Sequence, residues 1–140
     1  YLKAHPEPNF FHFNVDLAQG PCVIKRLRGC GAGCEYVAIT PEGDIYPCHQ
    51  FVGNEDYRLG SVHDGTFDKE LSGRFAGLNI YTREECRDCW ARFYCSGGCS
   101  ASNLLVNGDI KKPHRVGCEL ERKRLECAIA LRAIAAGMAD

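Results

Sequence analysis

From Phe10 to Leu17 apolar and polar side chains alternate: Phe11, Phe13, Val15 and Leu17 fall on one side, His12, Asn14 and Asp16 on the other. A period of two predicts a half-buried strand, closed by Gln19-Gly20-Pro21. Tyr36–Thr40 reads as a second strand. Pro41-Glu42-Gly43 is a tight turn, and Asp44–Cys48 returns antiparallel, with Pro47 marking the strand end. Residues 49–65 read as loop. Thr66 is the expected N-cap of a short helix running to Phe75. Thr82-Arg83-Glu84-Glu85 matches a capping box, so a helical turn is expected to deliver Cys86. Ser100–Asn107 reads as a helix stopped by Gly108, and 118–136 as one long helix stopped by Gly137, with Leu125, Ile129 and Ile134 among its apolar positions. The predicted fold is a small α+β domain: a β-hairpin, then short helices, then a long C-terminal helix.

Charge and composition narrow the class. The formal net charge is −1, which gives no electrostatic case for nucleic acid or an anionic membrane. No run of eighteen apolar residues occurs, so no spanning helix is expected. Tyr1-Leu-Lys-Ala-His-Pro6 has no apolar core of a signal peptide, and the expected location is cytoplasmic. The chain begins at Tyr1 rather than Met and is expected to be a piece of a longer protein.

Ten cysteines in 140 residues change the picture. In a reducing compartment crowded thiols point to metal before disulfides. Cys86, Cys89, Cys95 and Cys99 make a C-x2-C-x5-C-x3-C run; Cys30, Cys34 and Cys48 lie upstream and Cys118 downstream. Cys30 and Cys34 flank a glycine-rich loop at the open end of the hairpin, opposite Cys48, so a hairpin brings these positions close. The glycines free backbone N–H groups to point at sulfur. Eight thiols make two sets of four. By spacing alone, zinc and iron–sulfur clusters both remain open, since tetrathiolate sites serve either; the unequal spacers favour the wider cluster.

Gly29-Cys30 to Cys34, Gly43-x4-Cys48, the C-x2-C-x5-C-x3-C run and the final Cys118 resemble the SPASM domain, the auxiliary-cluster module of radical S-adenosylmethionine enzymes that modify peptides and proteins. Cys30 precedes Gly43 by a spacer inside the family's range, Cys34 by one just short of it. The phrases Gly29–Cys34 and Tyr46–Gly53 look most like the maturases of SCIFF peptides, cysteine-rich precursors that receive thioether cross-links. The resemblance implies two 4Fe–4S clusters. Cys30, Cys34, Cys48 and Cys99 would hold auxiliary cluster I; Cys86, Cys89, Cys95 and Cys118 would hold auxiliary cluster II. Cys34 or a substrate thiolate completes cluster I, and both possibilities stand. It further implies that residues 25–140 form the SPASM domain and residues 1–24 a junction with a catalytic barrel carrying S-adenosylmethionine and a third 4Fe–4S cluster. The superfamily's CxxxCxxC signature is absent: Val37 and Ser102 stand where a third cysteine would follow Cys30/Cys34 or Cys95/Cys99. This chain is therefore expected to be the accessory part of an enzyme, inactive alone, with a cysteine-containing precursor peptide and the barrel as partners. The alternative is a zinc-stapled interaction module without a redox role. Metal is expected to stand in for much of the hydrophobic core.

Other residues carry ordinary readings. Cys127, mid-helix among Ala and Ile, is expected to be a buried apolar thiol, and Cys22 a free one. His49 beside Cys48, His63 and His114 are read as surface histidines. Lys25, Arg26 and Arg28 form a basic face that suits an acidic leader peptide or simply solvent. Trp90, Phe93 and Tyr94, between the paired thiols, are placed to shield a cluster.

Overall fold

The computed structural model describes residues 10–17 and 22–137. Helix α1 (Val23–Arg28) leads through Gly29 into the first thiol loop. Four short strands follow: β1 (Ala38–Ile39), β2 (Asp44–Tyr46), β3 (Gly60–Ser61) and β4 (Thr66–Phe67). They form an antiparallel meander in the order β1-β2-β3-β4, with Ala38 opposite Tyr46, Asp44 opposite Ser61 and Ser61 opposite Thr66. Helices α2 (Lys69–Ala76), α3 (Arg92–Cys95), α4 (Ser100–Asn107) and α5 (Arg115–Ala135) complete the domain. The α+β class and the long C-terminal helix are as expected from sequence. Among the described residues no helix is long and apolar enough to cross a membrane.

The predicted hairpin forms. Gly43 takes φ 85° and its N–H donates to the Thr40 carbonyl at 2.9 Å, closing the turn. The sheet is wider than predicted because residues 49–65 are not merely loop. They hold two 3-10 turns and β3, whose hydrogen-bonding edge accepts β4. Thr66 is accordingly in a strand instead of capping a helix. Asp64 Oδ1 holds it, taking both its N–H at 2.9 Å and its hydroxyl at 2.6 Å, and Asp68 is the N-cap of α2, accepting the Leu71 N–H at 2.8 Å.

Three other expectations are corrected. Residues 10–17 form a 3-10 turn over Phe11–Phe13 instead of a strand. The His12 ring lies 3.9 Å from the Phe11 ring and 5.1 Å from that of Phe10, a local stack that alternation to opposite faces would pull apart. The segment lies against α5, where Arg124 Nε donates to the His12 carbonyl at 2.7 Å. The capping box at Thr82 does not form; its hydroxyl instead accepts the Asn79 N–H and donates to Gly77 O, both at 2.9 Å. A 3-10 turn over Glu84–Cys86 still delivers Cys86. Helix α5 begins at Arg115, so Cys118 lies within its first turn instead of opening it.

The sheet half has an apolar core of its own. Tyr46, Phe51, Leu59, Leu71, Phe75, Leu78 and Ile110 are buried in one cluster. Phe51 anchors it, with its ring 5.4 Å from Phe75, edge-on at 89°, and 5.0 Å from Tyr57. Metal is thus not a general substitute for core here; the thiol-rich half, residues 86–99, buries little besides Cys86 and Ala91. Phe51→Ala is expected to cost about 3–5 kcal/mol of unfolding free energy. Phe67→Ala, at a 43% exposed position, should cost well under half of that. Urea denaturation of the two variants checks the difference.

Candidate metal centre

Two thiol groups assemble from separate elements. In the first, the turn after α1 presents Cys30, and the loop to Glu35 folds on the Gly31 carbonyl, which accepts N–H groups from Cys34 at 3.1 Å and Glu35 at 2.8 Å. Gly33 fastens that loop to the segment between β2 and Cys48. Its N–H donates to Tyr36 O at 2.8 Å and to Pro47 O at 3.0 Å, and its carbonyl accepts the Ser72 hydroxyl at 2.7 Å. The Phe75 ring packs where a Cβ would stand, 2.7 Å away. Cys48 follows β2 at 7% exposure. Cys99, the residue before α4, completes the group from the far half of the chain. Burial pushes the Cys48 thiol up, and the neighbouring Cys99 and Cys30 sulfurs push the same way, while the Gln50 and Phe51 N–H groups pull down. Cys34 is the outlier, its Sγ donating to Gly31 O at 3.4 Å.

The second group is more enclosed. Cys86, Cys89, Cys95 and Cys118 line one cavity of about 450 Å3. The 3-10 turn supplies Cys86, the next turn Cys89 (whose N–H donates to Cys86 O at 3.2 Å), the end of α3 Cys95 and the first turn of α5 Cys118. Burial lifts Cys86 to about 11, opposed by Arg83 and reinforced by Cys95, Cys118 and Cys89. Burial also raises Cys95, against which the Gly97 and Gly98 N–H groups act, and Cys118, against which Arg122 acts. Backbone N–H groups directed at sulfur, foreseen at Gly31 and Gly33, act at Gln50, Phe51, Gly97 and Gly98, while the Gly33 N–H is taken by Tyr36 O and Pro47 O. A smaller cavity of about 320 Å3, lined by Cys95, Cys99, Cys118 and His114, lies where the two groups approach.

All ten cysteines are free thiols. Among the described residues no three His, Cys, Asp or Glu side chains converge on the spacing of a single metal ion; in the second group they ring a cavity instead. The donor set suits soft metal: four sulfurs, partly desolvated, whose protons a bound cation displaces. Outside the two groups, Cys22 is exposed and Cys127 half-buried. His49 is exposed, with Nδ1 3.5 Å from the Tyr36 hydroxyl. His63 packs on Gly43. Trp90, Phe93 and Tyr94 are 51%, 37% and 38% exposed, and of the three only Tyr94 lines a thiol cavity.

Sequence pattern gave little sign of three further residues. His114 is half-buried, its N–H donating to Asn103 Oδ1 at 2.9 Å. Arg92 lines the larger cavity; its Nε is buried with no hydrogen-bond partner among the described residues, and its guanidinium lies 4.8 Å over the Phe93 ring. Arg83 is 3% exposed, and burial pulls its pKa below the usual guanidinium range. Its place three residues before Cys86 was the one available hint.

Comparison with known proteins bears on this geometry. Residues 30–90 match SPASM, an iron-sulfur cluster-binding domain. The SPASM match takes in Cys30, Cys34, Cys48, Cys86 and Cys89; Cys95, Cys99 and Cys118 lie beyond it. An uncharacterized protein of Archaeoglobus fulgidus is 31% identical over 101 residues, covering 69% of this chain and 24% of that protein. The PqqA peptide cyclase of Xanthomonas axonopodis pv. citri is 28% identical over 102 residues, covering 68% and 27%. Mycofactocin maturase MftC of Mycobacterium ulcerans is 31% identical over 111 residues, covering 75% and 29%. The chain spans about a quarter of the length of these curated relatives.

The Gly33 contact is testable without metal. Gly33 and Gly53 share a positive φ, 80° and 84°, but a Cβ at Gly53 meets nothing within 4 Å. Gly53→Ala should cost about 1 kcal/mol, the backbone term alone. Gly33→Ala should cost at least about 2 kcal/mol more, as overpacking is added, measured by denaturant unfolding of both variants.

Proposed function

We propose that this chain is the auxiliary iron–sulfur domain of a radical S-adenosylmethionine enzyme that installs thioether cross-links in a cysteine-rich precursor peptide. One observation carries the reading: four thiols from three parts of the chain face one cavity, while Cys99, four residues after Cys95, joins Cys30 and Cys48. The SPASM match and the peptide cyclase and maturase among the relatives support the same class. Residues 25–140 form the cluster domain in this reading, and residues 1–24 the junction with a catalytic barrel.

Cys86, Cys89, Cys95 and Cys118 hold one 4Fe–4S cluster. Cys30, Cys48 and Cys99 hold three irons of the other, and Cys34 supplies the fourth thiolate. The present Cys34 bond to Gly31 O needs the thiol proton, so deprotonation on metal binding releases it. When bound, the clusters would supply a one-electron acceptor, which joining a substrate carbon radical to a cysteine thiolate requires because that bond leaves one electron over. Thiols arranged round a cavity suit a four-iron cube better than one zinc ion, which holds each sulfur at about 2.3 Å.

Anaerobic reconstitution should give a brown protein with roughly eight irons per chain. Zinc at two per chain with negligible iron contradicts the reading and favours the zinc-stapled module. Cys118→Ala should lose about half of the iron and Cys127→Ala none. For Cys34, the resonance spectrum decides: Cys34→Ala should alter the first cluster's signal before any peptide is added. An unaltered signal that shifts only when a cysteine-containing peptide binds means the substrate thiolate takes that position.

A further inference from the structure

The guanidinium of Arg83 is buried, and among the described residues it has no ion pair. Nη1 donates to Ile110 O at 2.7 Å and to Lys111 O at 2.9 Å, and Nη2 donates to Ser100 Oγ at 3.0 Å. All three acceptors are neutral. Satisfying hydrogen bonds does not remove the cost of taking a fixed charge out of water, which calls for negative charge nearby. Asp109 contributes some from beyond ion-pair distance; the sulfurs of Cys86, Cys95 and Cys99 also neighbour Arg83 and become anionic once metal displaces their protons.

Those three belong to both thiol groups, and the backbone explains why. Arg83 O accepts the Cys86 N–H at 3.0 Å, so the residue is built into the turn that delivers the second group. Its stem then crosses the Cys95–Cys99 segment. A Cβ at Gly97 would stand 2.9 Å from Arg83 Cδ and 3.0 Å from Nε, so only a glycine admits this approach. The Nη2 bond to Ser100 secures the residue after Cys99. The fork therefore grips the stretch of chain that passes from one group to the other.

We propose that Arg83 is a positioning residue shared by both clusters, whose fixed positive charge between the two thiol groups favours their reduced states. This rests on the iron–sulfur reading above. Four thiolates bring four negative charges to each cluster, the iron–sulfide core balances them only in part, and reduction adds one more. A cation in a poorly solvated position lowers the cost of that added charge, and it acts on both clusters because it neighbours sulfurs of each.

The test is a dithionite titration of the anaerobically reconstituted full protein, with each cluster followed by electron paramagnetic resonance and iron counted first. If the parent protein fails to load iron, the iron–sulfur reading itself fails, before Arg83 is at issue. With eight irons loaded, Arg83→Gln should lower the one-electron reduction equilibrium of both clusters about tenfold, which is 59 mV each. Arg83→Lys keeps the charge and gives up the fork, and should restore both to near the parent values. Unchanged potentials in Arg83→Gln, or a shift in one cluster only, overturn the proposal. Should Arg83→Gln not load, full loading of Arg83→Lys supports a requirement for charge. Failure of both variants to load places the whole effect in the shape of the fork and overturns it.

Discussion

Between Cys95 and Cys99 the chain turns through Ser96, Gly97 and Gly98, all three with positive φ (58°, 85° and 73°). Left-handed backbone reverses direction in few residues, so two thiols close in sequence face different neighbours. Cys95 ends α3 and joins Cys86, Cys89 and Cys118; Cys99 precedes α4 and meets Cys48. Ser96 bears the left-handed conformation at a cost of about 1–2 kcal/mol. The arrangement around the turn repays that strain: N–H groups of Gly97 and Gly98 act on the Cys95 sulfur, and the Arg83 side chain packs closely on Gly97. Shift this turn and both groups lose a member together.

The halves joined by the turn are stabilised differently. The sheet half buries Phe51, Leu59 and Phe75 in a conventional core and locks the Cys30–Cys34 loop to it through Gly33. The helical half, from Cys86 through the start of α5, encloses a thiol-lined cavity where a core would sit. Without metal, burial keeps Cys86, Cys95 and Cys118 protonated, with pKa values raised. Metal binding must therefore displace protons, and the free energy of binding becomes stability of that half in particular. Arg83, Arg92 and Arg122 are among the cations near these sulfurs, placed where the thiolates would need them.

Much of this was legible in the sequence where local chemistry is strong. Pro41 and Gly43 specified the hairpin turn, Asn107-Gly108 the end of α4, and Gly137 the end of α5. Thiol spacing singled out eight cysteines, while their division into two groups was implied only by the family resemblance. Alternation misled at residues 10–17, because a strand also needs a sheet edge, and helix α5 and the stacking of His12 took the segment instead. Strand β3 went unseen because Gly60-Ser61 has no apolar pattern; its pairing with Asp44-Ile45 defines it. Arg83 was hidden for a related reason. A charged residue inside an apparent capping box reads as surface, and only the tertiary approach to Gly97 and Ile110 reveals it as buried.

We infer that the Cys95–Cys99 turn hands the chain from one cluster to the other. Two substitutions four residues apart address it directly. In dithionite-reduced, anaerobically reconstituted protein, Cys95→Ala should perturb the resonance signal of the cluster that Cys118→Ala also perturbs. Cys99→Ala should perturb the other signal, the one shared with Cys48→Ala. If Cys95→Ala and Cys99→Ala perturb the same signal, the two thiols serve one cluster and the account is wrong.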